Sequence, residues 1–127
     1  MELIAVVSGL IVLEYFILTM LVGRARGKSG IEAPAMTGDP GLERALRVQL
    51  NTLEQLIIVL PGLWLFGTYI SATWGAGLGL VFIVGRALYA QAYMSDPSRR
   101  GPGFLIGLLA TVALLLGGIY GAVMAAL

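Results

Sequence analysis

The chain has no cysteine and no histidine, and only 12% of its 127 residues are charged. Without cysteine there is no disulfide, no thiol nucleophile and no thiolate metal site. Without histidine there is no imidazole ligand, and no side chain whose ordinary pKa falls near neutrality. Any chemistry must rest on Arg, Lys, Tyr, Ser, Asp or Glu, or on a reactive group that the substrate brings. The formal net charge of +1 argues against nucleic acid as a partner. No Asn/Asp-rich metal loop and no glycine-rich phosphate loop is present.

What remains is apolar. Hydrophobic residues make up 58% of the chain and the mean hydropathy is +0.92, whereas soluble domains carry about 25% charged residues. The composition predicts an integral membrane protein with the lipid bilayer as its solvent. No basic region precedes the first apolar run, so a cleavable signal peptide is not expected.

Four spans are predicted: Leu3 to Val22, Leu42 to Ile70, Trp74 to Tyr93, and Phe104 to Ala126. The second is apolar only in its later half, so its polar first half must extend the helix to the surface. Pro61 lies inside it and should kink it, leaving the Ile57 carbonyl without its helical donor. Residues 23 to 41 form a polar, Gly- and Pro-containing connection, the turn around Ser71 to Thr73 is minimal, and SDPSRRGPG joins the last two spans. Arg24, Arg26, Lys28, Arg99 and Arg100 all fall in the first and third connections. The positive-inside rule then predicts that both basic loops are cytoplasmic and both termini lie outside. Gly75, Gly77, Gly79, Gly117, Gly118 and Gly121 would permit close helix approach.

The most informative stretch is ERALRVQLNTLEQ, Glu43 to Gln55, at the start of the second span. Arg47, Asn51 and Glu54 follow i, i+4, i+7 and share a helix face. A cation, an amide and an anion in a row suit a small zwitterionic ligand or an internal ion-pair lock. A second constellation, GRALYAQAYMSDPSRR, places Arg86, Tyr89 and Tyr93 on one face, with Arg100 just beyond the helix end. Antiparallel helices bring the two faces to one membrane depth, where they could share a pocket. Simpler readings exist for each residue. The two tyrosines could belong to an interfacial aromatic belt, Arg99 and Arg100 could merely set topology, and Arg86 could pair with Glu54 or Glu14. Glu14, a lone carboxylate in the first helix, fits either a structural partner for another helix or the proton-coupling residue of a small multidrug exporter.

Glu43 to Gln55 closely resembles the start of the second helix of the MAPEG family, the membrane-associated proteins in eicosanoid and glutathione metabolism. RALYAQAY followed by Arg100 resembles that family's third helix and the loop after it, and TGDP, Thr37 to Pro40, its first cytoplasmic loop. The resemblance implies an all-α membrane fold over residues 1–127, a four-transmembrane-helix bundle assembled as a homotrimer. It also implies glutathione as co-substrate, held between subunits by Arg47, Asn51, Glu54, Tyr89 and Tyr93. Gln49 and Arg26 would support it, and Arg100 would be the catalytic residue beside the thiol. The implied activity is conjugation of the glutathione thiolate to lipophilic small molecules, with peroxide reduction as a related outlet. A non-catalytic lipid-binding protein of the same fold is the alternative. Gln55 stands where many members have an aromatic residue, and Pro97 leaves open whether Arg99 or Arg100 faces the thiol.

Overall fold

The computed structural model describes all 127 residues, Met1–Leu127. Four helices are each long and apolar enough to cross a membrane: α1 (Glu2–Ser29), α2 (Pro40–Tyr69), α3 (Ala72–Ser95) and α4 (Gly101–Ala126). The protein is thus an integral multi-pass membrane protein. Helices are the expected solution, because lipid offers no hydrogen bonds and each backbone group must find its partner within the chain. Of 104 backbone hydrogen bonds, 92 lie within the helices, which meets that demand. Leu3, Val6, Leu13, Phe16, Ile17 and Met20 on α1, and Leu105, Leu109 and Leu116 on α4, face outward as a lipid-facing surface requires.

Local sequence explains where the helices begin and end. Asp39 caps α2, accepting the Leu42 N–H at 2.9 Å, with Pro40 at the first helical position where a missing N–H costs nothing. Ser71 caps α3 in the same way through the Trp74 N–H at 3.2 Å. α1 ends at Gly30, whose φ of 74° is a left-handed conformation that glycine adopts freely. Two boundaries differ from expectation. α1 runs a further seven residues, Gly23 to Ser29, into what reads as a polar loop, because its backbone bonds continue until Gly30 stops them. α4 starts at Gly101 rather than Phe104, with Pro102 in its first turn. Pro61 sits within α2 without ending it.

The core is a cluster of Ile4, Val7 and Ile11 from α1, Leu56, Val59 and Leu63 from α2, Ala76 and Phe82 from α3, and Ala110 and Leu114 from α4. Helices α3 and α4 approach closest. A Cβ built on Gly85 would lie 2.6 Å from the Gly107 backbone nitrogen, and one on Gly103 would collide with the backbone of Tyr89. Neither backbone can yield cheaply, since each belongs to a packed helix. Gly103→Ala is therefore expected to push α4 from α3 and destabilise the fold by about 1–3 kcal/mol. Gly77→Ala, which meets nothing within 4 Å, should be near neutral. Thermal unfolding of the two variants in detergent checks this, and equal midpoints would refute it.

Candidate functional site

A cavity of about 550 Å³ opens at the end of the bundle where α2 begins and α3 ends, lined by Arg47, Asn51, Tyr89, Tyr93, Arg100 and Phe104. Arg47 and Asn51 lie one turn apart on α2, and Tyr89 and Tyr93 one turn apart on α3. Arg100 is the residue between the short 3₁₀ turn Pro97–Arg99 and α4. Five sequence-predicted site residues thus surround one space. Tyr89 is buried and packs its ring against Tyr93, centroids 5.7 Å apart, and against Phe104 at 6.0 Å.

Arg86 has a different place from the one its spacing suggests. It is 1% exposed and does not line the cavity. Its Nη2 donates to Asn51 Oδ1 at 2.8 Å and to Thr52 Oγ1 at 2.7 Å, and its guanidinium carbon lies 4.1 Å from the centre of the Tyr89 ring. Arg86 therefore stands behind the cavity, gripping two of its walls by hydrogen bonding and by a cation–π contact. Helical periodicity gives the direction in which a residue leaves its helix, but not how far a long side chain reaches.

Three other predicted residues stand apart from the cavity. Gln49 donates from Nε2 to Thr19 Oγ1 at 3.1 Å, tying α2 to α1. Arg26 donates to the carbonyls of Ala35 at 2.7 Å and Ile31 at 3.4 Å, which folds the first connection back onto α1. Glu54 is exposed on α2, nearly two turns beyond Arg47. No side-chain ion pair forms within 4.0 Å, the sole such contact being the Met1 amino group with Glu2. The internal lock between Arg47 and Glu54 is thereby ruled out in this chain, and so is direct pairing of Arg86 with Glu54 or Glu14.

Arg99 and Arg100 diverge as well. Arg100 enters the cavity wall, its Nη1 also donating to the Pro97 carbonyl at 2.8 Å. Arg99 faces a separate hollow with Leu88, Gln91 and Ser95. The turn between them is pinned by Asp96, which accepts from the Ser98 hydroxyl at 2.8 Å and the Ser98 N–H at 3.1 Å. The Ser98 hydroxyl and N–H hold the Asp96 carboxyl below the ordinary carboxylate range. A lowered carboxylate pKa stabilises the turn above the unfolded value of about 3.9 and is lost only on acidification below it. The turn carrying Arg100 therefore stays constant across neutral pH.

Sequence reasoning missed three contributors. Phe104 closes the apolar side of the cavity, but in the sequence it reads only as the first residue of the fourth span. Thr52 follows Asn51 by about 100° on the helix, outside the Arg47/Asn51/Glu54 row, yet it is fully buried and accepts from Arg86. Arg44 donates to the Met94 carbonyl at 3.1 Å and the Ser95 carbonyl at 3.4 Å, satisfying carbonyls that the end of α3 leaves free. The ERxxR pair of Arg44 and Arg47 thus has divided roles, one structural and one facing the cavity.

The cavity presents two guanidiniums, one amide and two phenols, with Phe104 as an apolar edge. Such a set suits an anionic, multiply polar small molecule rather than a cation or a metal. No cluster of carboxylates able to hold a metal ion exists.

The chain is similar to proteins of known type over most of its length. An uncharacterized protein of Synechocystis sp. is 46% identical over 115 residues, covering 91% of this chain and 84% of the relative. Microsomal glutathione S-transferase 2 of Homo sapiens is 38% identical over 115 residues, 89% of this chain and 78% of that protein. Leukotriene C4 synthase of Cavia porcellus is 33% identical over 92 residues, 72% of this chain and 60% of that one. The MAPEG family model matches residues 4–120. With its four membrane-length helices and this match across nearly the whole sequence, the chain belongs to the MAPEG family.

Proposed function

We propose that this protein is a membrane-embedded glutathione transferase, conjugating the glutathione thiolate to lipophilic electrophiles that arrive from the bilayer. The observation that carries the reading is the cavity of about 550 Å³ ringed by Arg47, Asn51, Tyr89, Tyr93 and Arg100. Its size falls within the range of about 300–1,000 Å³ usual for small-molecule sites. The donor set also matches the ligand. Glutathione carries two carboxylates, one ammonium and one thiol, so it calls for guanidiniums, neutral donors and one anion.

In this reading Arg47 takes a carboxylate, Asn51 and the tyrosine hydroxyls take peptide and carboxylate oxygens, and Arg100 sits by the sulfur. The missing anion is Glu54, which is exposed on α2 and so free to serve a site shared with a neighbouring subunit. That geometry is what a site between subunits needs, and it supports a homotrimer. Arg26 and Gln49 act at one remove, by shaping the first connection and seating α2 on α1. The site opens to the cytoplasm, where the basic first and third connections lie by the positive-inside rule.

The chemistry uses a nucleophile that the protein lacks and the substrate brings. The thiol loses its proton to water under the influence of Arg100. The thiolate then attacks an electrophilic carbon, a C–S bond forms, and the leaving group departs with the electron pair. A relative named as a glutathione S-transferase, 38% identical over 115 residues, supports the reading.

Two measurements test it. Glutathione at about a hundred times its Kd should stabilise the detergent-solubilised protein by about 2.7 kcal/mol, read as a raised thermal midpoint. The intact complex released from native membrane should weigh three chains. An unmoved midpoint refutes the ligand, a clean dimer refutes the trimer, and a monomer refutes the shared site.

A further inference from the structure

Glu14 lies in the middle of α1, and its Oε1 is buried without a hydrogen-bond partner. On α3, the Nε of Arg86 is buried and likewise unpartnered, although Nη2 is fully engaged with Asn51 and Thr52. A guanidinium does not give up its proton in a protein, so a buried one requires a compensating anion. Among the carboxylates, Glu14 alone is near enough for its charge to act on Arg86. The two groups do not touch as an ion pair. They are nonetheless a leftover acceptor and a leftover donor buried on two packed helices, and a single water between them would satisfy both.

We propose that Glu14 is a positioning residue for the cavity: it compensates Arg86, and Arg86 in turn fixes Asn51 and Tyr89, two of the cavity's walls. The line of influence runs from Glu14 on α1 through Arg86 on α3 to Asn51 on α2, and neither Glu14 nor Arg86 lines the cavity. Without the Glu14 charge, Arg86 is left buried and uncompensated and is drawn toward the nearest water or anion. The cavity lies on the far side of the Asn51 amide and the Tyr89 ring that Arg86 grips. Asn51 then loses the bond that orients its amide, and Tyr89 loses the cation 4.1 Å from its ring centre. As it concerns glutathione, this inference rests on the function proposed above; as it concerns Tyr89 in the free protein, it does not.

The test uses the full chain in detergent with ¹³C-labelled tyrosine, its Tyr89 signal assigned by Tyr89→Phe. Glu14→Gln keeps the size and one hydrogen-bonding group but removes the charge. It is expected to shift the Tyr89 signal without ligand and to weaken glutathione affinity about tenfold, the worth of one hydrogen bond to a charged group. kcat at saturating glutathione should stay within about twofold, because Arg100 is untouched. Glu14→Asp should restore part of both effects. A merely structural Glu14 would lower the thermal midpoint and leave the Tyr89 signal and the affinity alone, and that result overturns the proposal. If Glu14→Gln does not fold, Glu14→Asp decides by the same two readings. If the wild-type protein binds no glutathione, the proposed function fails, while the ligand-free Tyr89 signal still decides the role of Glu14.

Discussion

Replacing Arg100 with alanine is expected to lower kcat at pH 7 by about tenfold or more, with a smaller effect on KM for glutathione. The reasoning starts from the thiol, which ionises near pH 8.5 when free and is then only about 3% thiolate at pH 7. An opposite charge within about 4–6 Å lowers a pKa by about 1–3 units, which brings from about a quarter to nearly all of the bound thiol into its reactive form. Arg100 lines the cavity at its exposed end and can supply that charge. The sign follows directly. The deficit of the variant should be largest at and below neutrality and should shrink as the pH rises past about 8.5, where the thiol ionises unaided. The Asp96–Ser98 turn does not titrate in that window, so the profile reports the thiol and not the loop. Arg99→Ala is the control, because Arg99 faces another hollow. The pH dependence of thiolate absorbance for wild type and both variants decides the matter. An effect carried by Arg99 would overturn the assignment of Arg100, and no effect in either would favour a protein that binds without activating.

Arg47→Ala should weaken glutathione binding by about 2–5 kcal/mol, or about thirtyfold to several thousandfold in Kd, as expected when a ligand charge loses its partner. Because Arg47 is itself exposed in the single chain, the lower end of that range is the better expectation unless a neighbouring subunit covers it. Glu54→Ala should weaken binding in the same direction, by stranding the ligand ammonium. The two variants therefore probe different things. Arg47 lines the cavity, whereas Glu54 does not and, on the proposed reading, acts across a subunit boundary. Calorimetry on the two gives four combinations, and unchanged affinity in both would remove the cavity from consideration as the glutathione site.

Much of this arrangement was legible in the sequence, for identifiable reasons. Polar residues at membrane depth are expensive, so Arg47 and Asn51 at i, i+4, and Tyr89 and Tyr93 at i, i+4, stood out against an apolar background. A minimal turn between α2 and α3 fixed them at the same depth. The register of Arg99 and Arg100 was not legible, because it depends on how Pro97 and the Asp96–Ser98 bonds wind one short turn. The burial of Arg86 was not legible either. On a wheel it shares a face with Tyr89 and Tyr93, and only packing decides that its head reaches Asn51 and Thr52 rather than the ligand space. Glu14 was read as either a structural partner or an exporter's proton carrier. Family membership leaves the exporter reading without support, and the carboxylate's proximity to Arg86 gives it a place in the bundle.

The bond from Arg86 to α2 also bears on how the chain enters the membrane during synthesis. α2 and α3 are the two least apolar spans, each with a mean hydropathy of 1.3 against 2.3 and 2.2 for α1 and α4. An arginine at the centre of a lone helix costs about 2.5–3.5 kcal/mol at insertion. Asn51 and Thr52 can relieve that cost only if α2 is already alongside. The turn at Ile70 and Ser71 is short enough to keep the two helices together as they leave the ribosome. α2 and α3 should therefore partition into lipid as one hairpin, with Nη2 of the guanidinium already bonded before it meets hydrocarbon. Glycosylation mapping of α3 alone against the α2–α3 pair reads this out, and efficient insertion of α3 by itself would contradict it.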